Sequence, residues 1–174
     1  EAVQRGWWGG LNRPGRGTEP QVLFAVGSNP LRRARGGRRT LLKNLWPKLE
    51  KIVVVDFRMS TTALHADIVL PAAMHYERTN LQYAITHTLR LTFSDEAVPP
   101  PGEARTEWRI FRDLAAKVAD VAEREGLDEY LDGRRQPRRL DDLLERFTSK
   151  GAFESEEAVI DEWVRDSVEA DTLP

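Results

Sequence analysis

Three short apolar runs in the first half of the chain constrain its fold most strongly. "VLFAV" at 22–26 and "IVVV" at 52–55 are continuous rather than alternating, and "DIVLP" at 67–71 ends in a proline. Continuous β-branched runs are typical of parallel strands buried on both faces, and the end of a strand tolerates proline. The sequence therefore predicts the beginning of a parallel α/β sheet.

The segments between these runs have the character of crossover connections. "RTLLKNLWPKLEK" carries leucines at helical spacing after Thr40, the predicted N-cap, and Pro47 should end or kink this helix. "MSTTALHA" predicts one or two helical turns capped by Ser60. The order strand, basic glycine-containing turn, helix, strand, short crossover, strand is that of a doubly wound parallel sheet.

The second half predicts helices. Residues 72–104 show no clear period, and a strong amphipathic helix is predicted from residue 106. Two further amphipathic helices follow a hinge at 132–139, and Ser155 is the predicted N-cap of the last one. One alternating stretch before residue 106 is expected to be extended and contains Leu89, Leu91 and Phe93.

Charge is distributed unevenly, although the net charge of the 174 residues is only −2. Residues 1–58 contain 12 Lys and Arg against 4 Asp and Glu, whereas residues 59–174 contain 14 against 24. An anion is therefore expected near the front of the chain.

The absence of cysteine excludes disulfides, Cys-ligated zinc, iron–sulfur clusters and a thiol nucleophile within this chain. The three histidines show no metal-ligand spacing.

Polar residues follow two of the predicted strands, where ligands bind in open parallel sheets. A glycine in the turn at 27–30 would let the backbone approach a phosphate. Asn29 and Asp56 are suited to hydrogen-bond sugar hydroxyls or a purine edge. Hydroxyl groups that could donate to phosphate oxygens come from Ser60, Thr61 and Thr62. From the residues alone, a nucleotide site and an ordinary turn both remain open.

The first turn is also unusually basic, with five arginines between residues 32 and 39. A solvated turn, an anionic cofactor or acidic neighbouring domain, and a nucleic acid are the alternatives. Nucleic-acid binding is the weakest of these, because the basic block is short and the chain after it is acidic.

Taken together, three stretches are more specific than any single motif. "VGSNPLRRARGG", "WPKLEKIVVVDFRMSTTALHADIVLPAAMHYERTN" and "FSDEAVPPPGEARTEWRIFRDLAAKVA" follow one another in unbroken order. Over roughly residues 21–120 the chain resembles the catalytic subunit of molybdopterin oxidoreductases, the DMSO reductase family. It is most similar to the branch of nitrate, selenate and chlorate reductases and of dimethylsulfide and ethylbenzene dehydrogenases.

The resemblance implies a Rossmann-like region that holds one guanosine diphosphate arm of the molybdenum cofactor, bis-molybdopterin guanine dinucleotide. The turn would approach the pyrophosphate or pterin, Asp56 would face the ribose or guanine, and the chain itself would contribute no catalytic or metal-ligating residue. The implied cofactor-binding residues are Gly27, Ser28, Asn29, Pro30, Arg32, Asp56, Arg58, Ser60, Thr62 and Glu77.

The resemblance also implies that the chain is a fragment. We expect a loop or cut end at 1–20, the Rossmann-like cofactor region at 21–124, and a helical extension or insertion at 125–174. The family's iron–sulfur domain, molybdenum ligand and C-terminal barrel have no counterpart here. Expected partners are the remaining domains of the subunit and an iron–sulfur electron-transfer subunit, without nucleic acid or direct membrane insertion.

The parent enzyme is expected in the periplasm or, alternatively, on the cytoplasmic side of a membrane. Two other functions remain open. The chain could be a free-standing nucleotide- or anion-binding α/β module without redox activity, or an interaction fragment whose basic turn docks an acidic partner.

Overall fold

A computed structural model describes residues 19–83, 91–132 and 136–169. The chain divides into two compact units, Glu1–Val69 and Leu70–Pro174.

The first unit is built on a three-stranded parallel sheet in the order β1-β2-β3. The strands are β1 (Val22–Val26), β2 (Lys51–Asp56) and β3 (Ile68–Pro71). In the register of β1 and β2, Val22 lies opposite Lys51 and Val26 opposite Val55. All three predicted strands are confirmed, and the predicted α/β class with them.

The central strand supplies most of the core of this sheet. Five successive residues of β2, from Ile52 to Asp56, are buried, as expected for a parallel strand covered on both faces. By contrast, the edge strand β1 buries only Ala25 completely. The compact core cluster consists of Ala25, Val54 and Ala63, with Ala66 and Val69 packed against it.

The connection from β1 to β2 is helical but irregular. It comprises helix α1 (Pro30–Arg33), a π-helical turn (Gly37–Leu41), helix α2 (Leu42–Asn44) and a 3-10 turn (Trp46–Lys48). The prediction that Thr40 caps the helix is wrong, because the helical turn begins three residues earlier, behind the left-handed Gly36 with φ 73°. Pro47 lies in the 3-10 turn, where its missing N–H ends the α-helical ladder.

The shorter connection from β2 to β3 contains a 3-10 turn, Ala63–His65. The Ser60 hydroxyl oxygen accepts a hydrogen bond from the Ala63 N–H at 3.2 Å, which confirms the predicted cap. The Asp67 carboxylate accepts from the Ile52 N–H at 2.7 Å and so fixes the entry to β3.

The second unit contains an antiparallel pair and a long helix. β4 (Asn80–Tyr83) pairs with β5 (Leu91–Ser94), which confirms the extended conformation predicted for Leu91 and Phe93; Leu89 lies outside the described residues. Helix α3 (Glu107–Glu125) begins where predicted.

Both ends of α3 are capped by local chemistry. The Thr106 hydroxyl accepts a hydrogen bond from the Arg109 N–H at 3.3 Å. Gly126, with φ 67°, ends the helix in the left-handed conformation that favours glycine.

The tail differs from the predicted helical extension. Helices α4 (Leu143–Phe147) and α5 (Glu156–Glu169) are present, and the Ser155 hydroxyl accepts from the Ala158 N–H as predicted. The hinge predicted at 132–139 is wrong in part, because β7 (Pro137–Arg139) pairs antiparallel with β6 (Glu129–Leu131).

This ribbon is stabilised by Asp132. Its carboxylate accepts from the Gln136 N–H at 2.9 Å and pairs with the Arg138 guanidinium at 3.0 Å.

Candidate functional site

A cavity of about 460 Å³ lies at the carboxyl ends of β1 and β2. This edge of a parallel sheet is where ligands bind in open α/β folds, and the volume is within the range of small-ligand sites. The cavity is lined by Gly27, Ser28, Asn29, Arg32, Arg33, Asp56, Phe57, Arg58 and Ser60.

Gly27 begins the turn that forms one wall of the cavity. Its N–H donates to the Val55 carbonyl at 2.9 Å, so the first residue of the turn is anchored to β2. Its φ of 54° is a conformation that residues with a Cβ rarely adopt, although a Cβ there would meet no atom within 4 Å. The backbone at Gly27 is therefore fixed in conformation and open to a ligand.

The turns after β1 and β2 are joined by a hydrogen-bond network around Asn29 and Thr62. The Asn29 side-chain oxygen accepts from the Thr62 N–H at 3.2 Å and from the Thr62 hydroxyl at 2.8 Å. The Thr62 hydroxyl oxygen in turn accepts from the Leu31 N–H at 3.2 Å. Thr62 and Leu31 are both buried. The network therefore fixes the two walls of the cavity relative to each other.

Asp56 ends β2 at the base of the cavity and is 8% exposed. Its carboxylate accepts a hydrogen bond from the Arg58 N–H at 3.3 Å. The Arg58 guanidinium lies over the Phe57 ring, 4.5 Å from the ring centroid, in a cation–π contact. Phe57, which directly follows β2, is 43% exposed.

The cavity is positively charged. Three guanidinium groups, those of Arg32, Arg33 and Arg58, line it against the single carboxylate of Asp56. Within the described part of the chain, none of these three arginines forms an ion pair. Such a site attracts a multiply charged anion, and guanidinium groups suit the oxygens of a phosphate.

Seven of the ten cofactor-binding residues predicted from the sequence line this cavity, namely Gly27, Ser28, Asn29, Arg32, Asp56, Arg58 and Ser60. Pro30 and Thr62 do not line it: Pro30 begins α1, and Thr62 belongs to the buried network. Glu77 lies in the second unit, where its carboxylate accepts from the Met74 N–H at 2.8 Å. The role of these residues in cofactor binding stays a prediction.

Two lining residues, Arg33 and Phe57, were missing from the predicted set. Arg33 belongs to the arginine cluster that the sequence shows, but the sequence does not reveal which arginines face the sheet edge. Phe57 could have been suspected, because it directly follows the last buried residue of a strand.

The described residues contain no group of three or more His, Asp or Glu that could hold a metal ion. None of their helices is both long and apolar enough to cross a membrane.

The cavity at the carboxyl edge of the sheet is thus basic, with a left-handed glycine and a carboxylate in its walls. Comparison with known proteins identifies the family. The family model described as molybdopterin oxidoreductase matches residues 11–117. The chain therefore belongs to the molybdopterin oxidoreductase family, the DMSO reductase family, which confirms the predicted resemblance.

Curated relatives include perchlorate reductase subunit alpha from Dechloromonas aromatica (strain RCB), which is 34% identical over 90% of this chain and 17% of the relative. Respiratory nitrate reductase subunit alpha from Haloferax mediterranei is 37% identical over 76% of this chain and 14% of the relative. Dimethylsulfide dehydrogenase subunit alpha from Rhodovulum sulfidophilum is 33% identical, again over 76% and 14%. The chain thus spans less than a fifth of the length of these relatives.

Among solved structures, acetylene hydratase from Pelobacter acetylenicus matches with a TM-score of 0.49 and 30% identity. The match covers 56% of this chain and 13% of that structure.

Proposed function

We propose that the chain is part of the cofactor-binding region of a molybdenum oxidoreductase catalytic subunit. In this proposal the cavity at the carboxyl edge of the sheet holds a guanosine diphosphate arm of bis-molybdopterin guanine dinucleotide. The observation that carries the proposal is the convergence of a left-handed glycine, a buried carboxylate and three guanidinium groups on one cavity. Among the described residues, these guanidinium groups form no ion pair. A Rossmann-like identity of the sheet is part of the same proposal.

The residues present fit a nucleoside diphosphate by the chemistry of their donors and acceptors. Arg32, Arg33 and Arg58 supply the positive charge that a diphosphate requires. The open backbone at Gly27 and the adjacent Ser28 can approach phosphate oxygens without a side-chain obstacle. Asp56, as a carboxylate, accepts hydrogen bonds from ribose hydroxyls or from the N–H groups of guanine.

The contribution of these residues is binding and orientation. When bound, the molybdenum cofactor supplies oxygen-atom transfer or hydroxylation coupled to electron transfer. The residues of this chain hold the distal arm of the cofactor and so determine how it is seated. The Asn29–Thr62 network supports this role, because it keeps the two walls in a fixed relation before a ligand arrives.

The proposal places the chain within a larger assembly. The relatives are named as alpha subunits, and the chain covers a small part of them. We therefore propose the remaining domains of the subunit as its immediate partners. An iron–sulfur electron-transfer subunit is the further partner, and an iron–sulfur cluster belongs to the parent enzyme outside this chain. A periplasmic location of that enzyme stays a prediction.

The alternative function, a free-standing nucleotide-binding module without redox activity, uses the same cavity. The alpha-subunit relatives favour the oxidoreductase, because they place the matching segment within much longer polypeptides.

Calorimetric titration of the 174-residue chain with GDP, ADP and guanosine tests the binding chemistry. We expect GDP to bind more tightly than ADP by about tenfold, because a carboxylate can accept from the adjacent N1–H and 2-amino groups of guanine, whereas adenine has an acceptor at N1 and no 2-amino group. Asp56→Ala should abolish this preference, whereas Asp120→Ala, at an exposed position on α3, should retain it. Equal affinities of the wild-type chain for GDP and ADP would contradict guanine recognition by Asp56.

A further inference from the structure

The arginines beyond α1 form a second surface that the proposed diphosphate cavity does not explain. A separate cavity of about 480 Å³ is lined by Leu31, Arg32, Ala34, Gly36, Gly37, Arg38, Arg39 and Thr61. Only Arg32 also lines the cavity at the sheet edge. Arg38 and Arg39 therefore belong to a different concave surface, which we call the basic turn surface and define as Arg32–Arg39.

The backbone that carries these arginines is held firmly. A Cβ on Gly37 would lie 2.5 Å from the Pro30 carbonyl oxygen and 2.7 Å from that of Leu31, so α1 and the π-helical turn approach as closely as backbone permits. Leu31 is 2% exposed, and the Gly37 N–H donates to the Ala34 carbonyl at 2.9 Å. The turn is therefore a preorganised support for its side chains, which lowers the entropy cost of binding.

The arginines of this surface differ from those of the second unit in their pairing. Across the described ranges, no guanidinium between Arg32 and Arg39 lies within ion-pair distance of a carboxylate. In the second unit, arginines are regularly paired with acidic residues, as in Arg105–Asp113, Arg112–Glu154, Arg138–Asp132 and Arg146–Asp142. Five like charges on one rigid turn repel each other, and an anionic partner would relieve this repulsion.

The shape and composition of the surface indicate the class of that partner. Its cavity lining contains no aromatic ring on which a base could stack, which disfavours nucleic acid. A single phosphate would use one or two of the five guanidinium groups. Residues 34–36 between α1 and the π-helical turn are not helical, so the chain folds back and Arg32, Arg38 and Arg39 line one cavity. Carboxylates on one acidic segment could pair with several of these guanidinium groups.

We propose that the basic turn surface docks an acidic segment of a partner polypeptide, with Arg38 and Arg39 as its main contacts. This interaction is separate from the proposed binding of guanosine diphosphate. Arg32 is shared by the two cavities and is therefore unsuitable for a test that must distinguish them.

The test is fluorescence anisotropy of a labelled oligo-glutamate peptide titrated with the 174-residue chain at low salt. We expect Arg38→Ala/Arg39→Ala to weaken binding of the peptide by about tenfold. The matched control, Arg124→Ala/Arg165→Ala, removes the same charge from two exposed arginines that pair with Glu125 and Asp161. It should leave the affinity within about twofold.

Three results would overturn the proposal: no binding of the peptide to the folded wild-type chain, equal losses in the two double variants, or tighter binding of a single-stranded oligonucleotide of the same charge. The last result would identify a nucleic-acid surface instead. Circular dichroism of each variant shows whether it is folded. GDP binding by Arg38→Ala/Arg39→Ala should equal that of the wild type, so that failure of this proposal and failure of the proposed function are recorded in different titrations.

Discussion

Gly27 and Gly37 lack a side chain for two different physical reasons. At Gly27 the constraint is conformational, because φ is 54° while the space beside the Cα is open. At Gly37 the constraint is steric, because two backbone carbonyl oxygens lie where a Cβ would be. The first glycine borders the proposed diphosphate cavity and the second supports the basic turn surface.

These two constraints predict that alanine substitutions at the two glycines lower the free energy of unfolding by different amounts. Gly37→Ala should lower the free energy of unfolding by about 2 to 3 kcal/mol, because rigid backbone atoms must move apart. Gly27→Ala should cost about 1 kcal/mol, the penalty of a left-handed conformation alone. Guanidinium denaturation of both variants measures the difference. A Gly37→Ala chain as stable as the wild type would show that the two backbones are not in close contact.

The buried hydroxyl of Thr62 gives a second prediction at this scale. Thr62→Val keeps the shape but removes the donor to Asn29 and the acceptor for the Leu31 N–H, so it should cost about 2 kcal/mol of stability. Thr62→Ser keeps both hydrogen bonds and loses one methyl group, so it should lower the free energy of unfolding by only about 1 kcal/mol. Urea denaturation compares the two variants, and a less stable Thr62→Ser would refute the role of the network.

At the scale of elements, the strands were predictable and the irregular connections were not. Continuous apolar runs identify β1, β2 and β3. Burial along nearly the whole strand is seen only in the central strand β2, whereas β1 and β3 are largely half-buried or exposed. The helical turn begins at Gly37, where the backbone approaches the Pro30 carbonyl closely, and local periodicity cannot show such a contact. The three-residue strands of the β6–β7 ribbon are too short to leave an alternating pattern.

The candidate site could likewise be predicted from the sequence only in part. The turns at Gly27 and Asp56 could be predicted because the ends of parallel strands meet at one edge. The structural role of Thr62 could not be predicted, because it depends on how the two turns pack.

Helix α5 carries a prediction about pH. Burial raises the pKa of Glu156, which lies in the first turn of the helix, and the nearby Glu157 carboxylate raises this pKa further. The Thr106 hydroxyl and the Arg78 and Arg109 guanidinium groups act in the opposite direction and offset part of the increase. Because the folded-state pKa lies above the unfolded-state value, the contribution of Glu156 to stability is full below the unfolded-state pKa. It is lost as pH rises through the folded-state pKa.

Glu156→Gln should therefore be more stable than the wild type at neutral pH, by less than about 1 kcal/mol because solvent screens a half-exposed group. The difference should vanish in acid. Thermal unfolding between neutral and acidic pH measures this, with Glu162→Gln on the same helix as control. A constant difference at all pH values would contradict the assignment.

At the scale of the whole molecule, the chain covers less than a fifth of the length of relatives named as alpha subunits. Its residues 1–58 are basic and its residues 59–174 are acidic. The proposed cofactor arm would occupy one cavity of this chain while the remainder of the cofactor is held elsewhere. Retention of the cofactor by the complete subunit is therefore the property that the cavity should control.

The most direct test of this account is the guanine and molybdenum content of the complete catalytic subunit that contains this chain. In a folded subunit, Asp56→Ala combined with Arg58→Ala should reduce both contents together, by about tenfold or more, because the cavity loses its carboxylate and one guanidinium. The control Asp120→Ala/Arg124→Ala should retain both. Wild-type guanine and molybdenum contents in the cavity variant would contradict the proposal that this cavity holds the guanosine diphosphate arm.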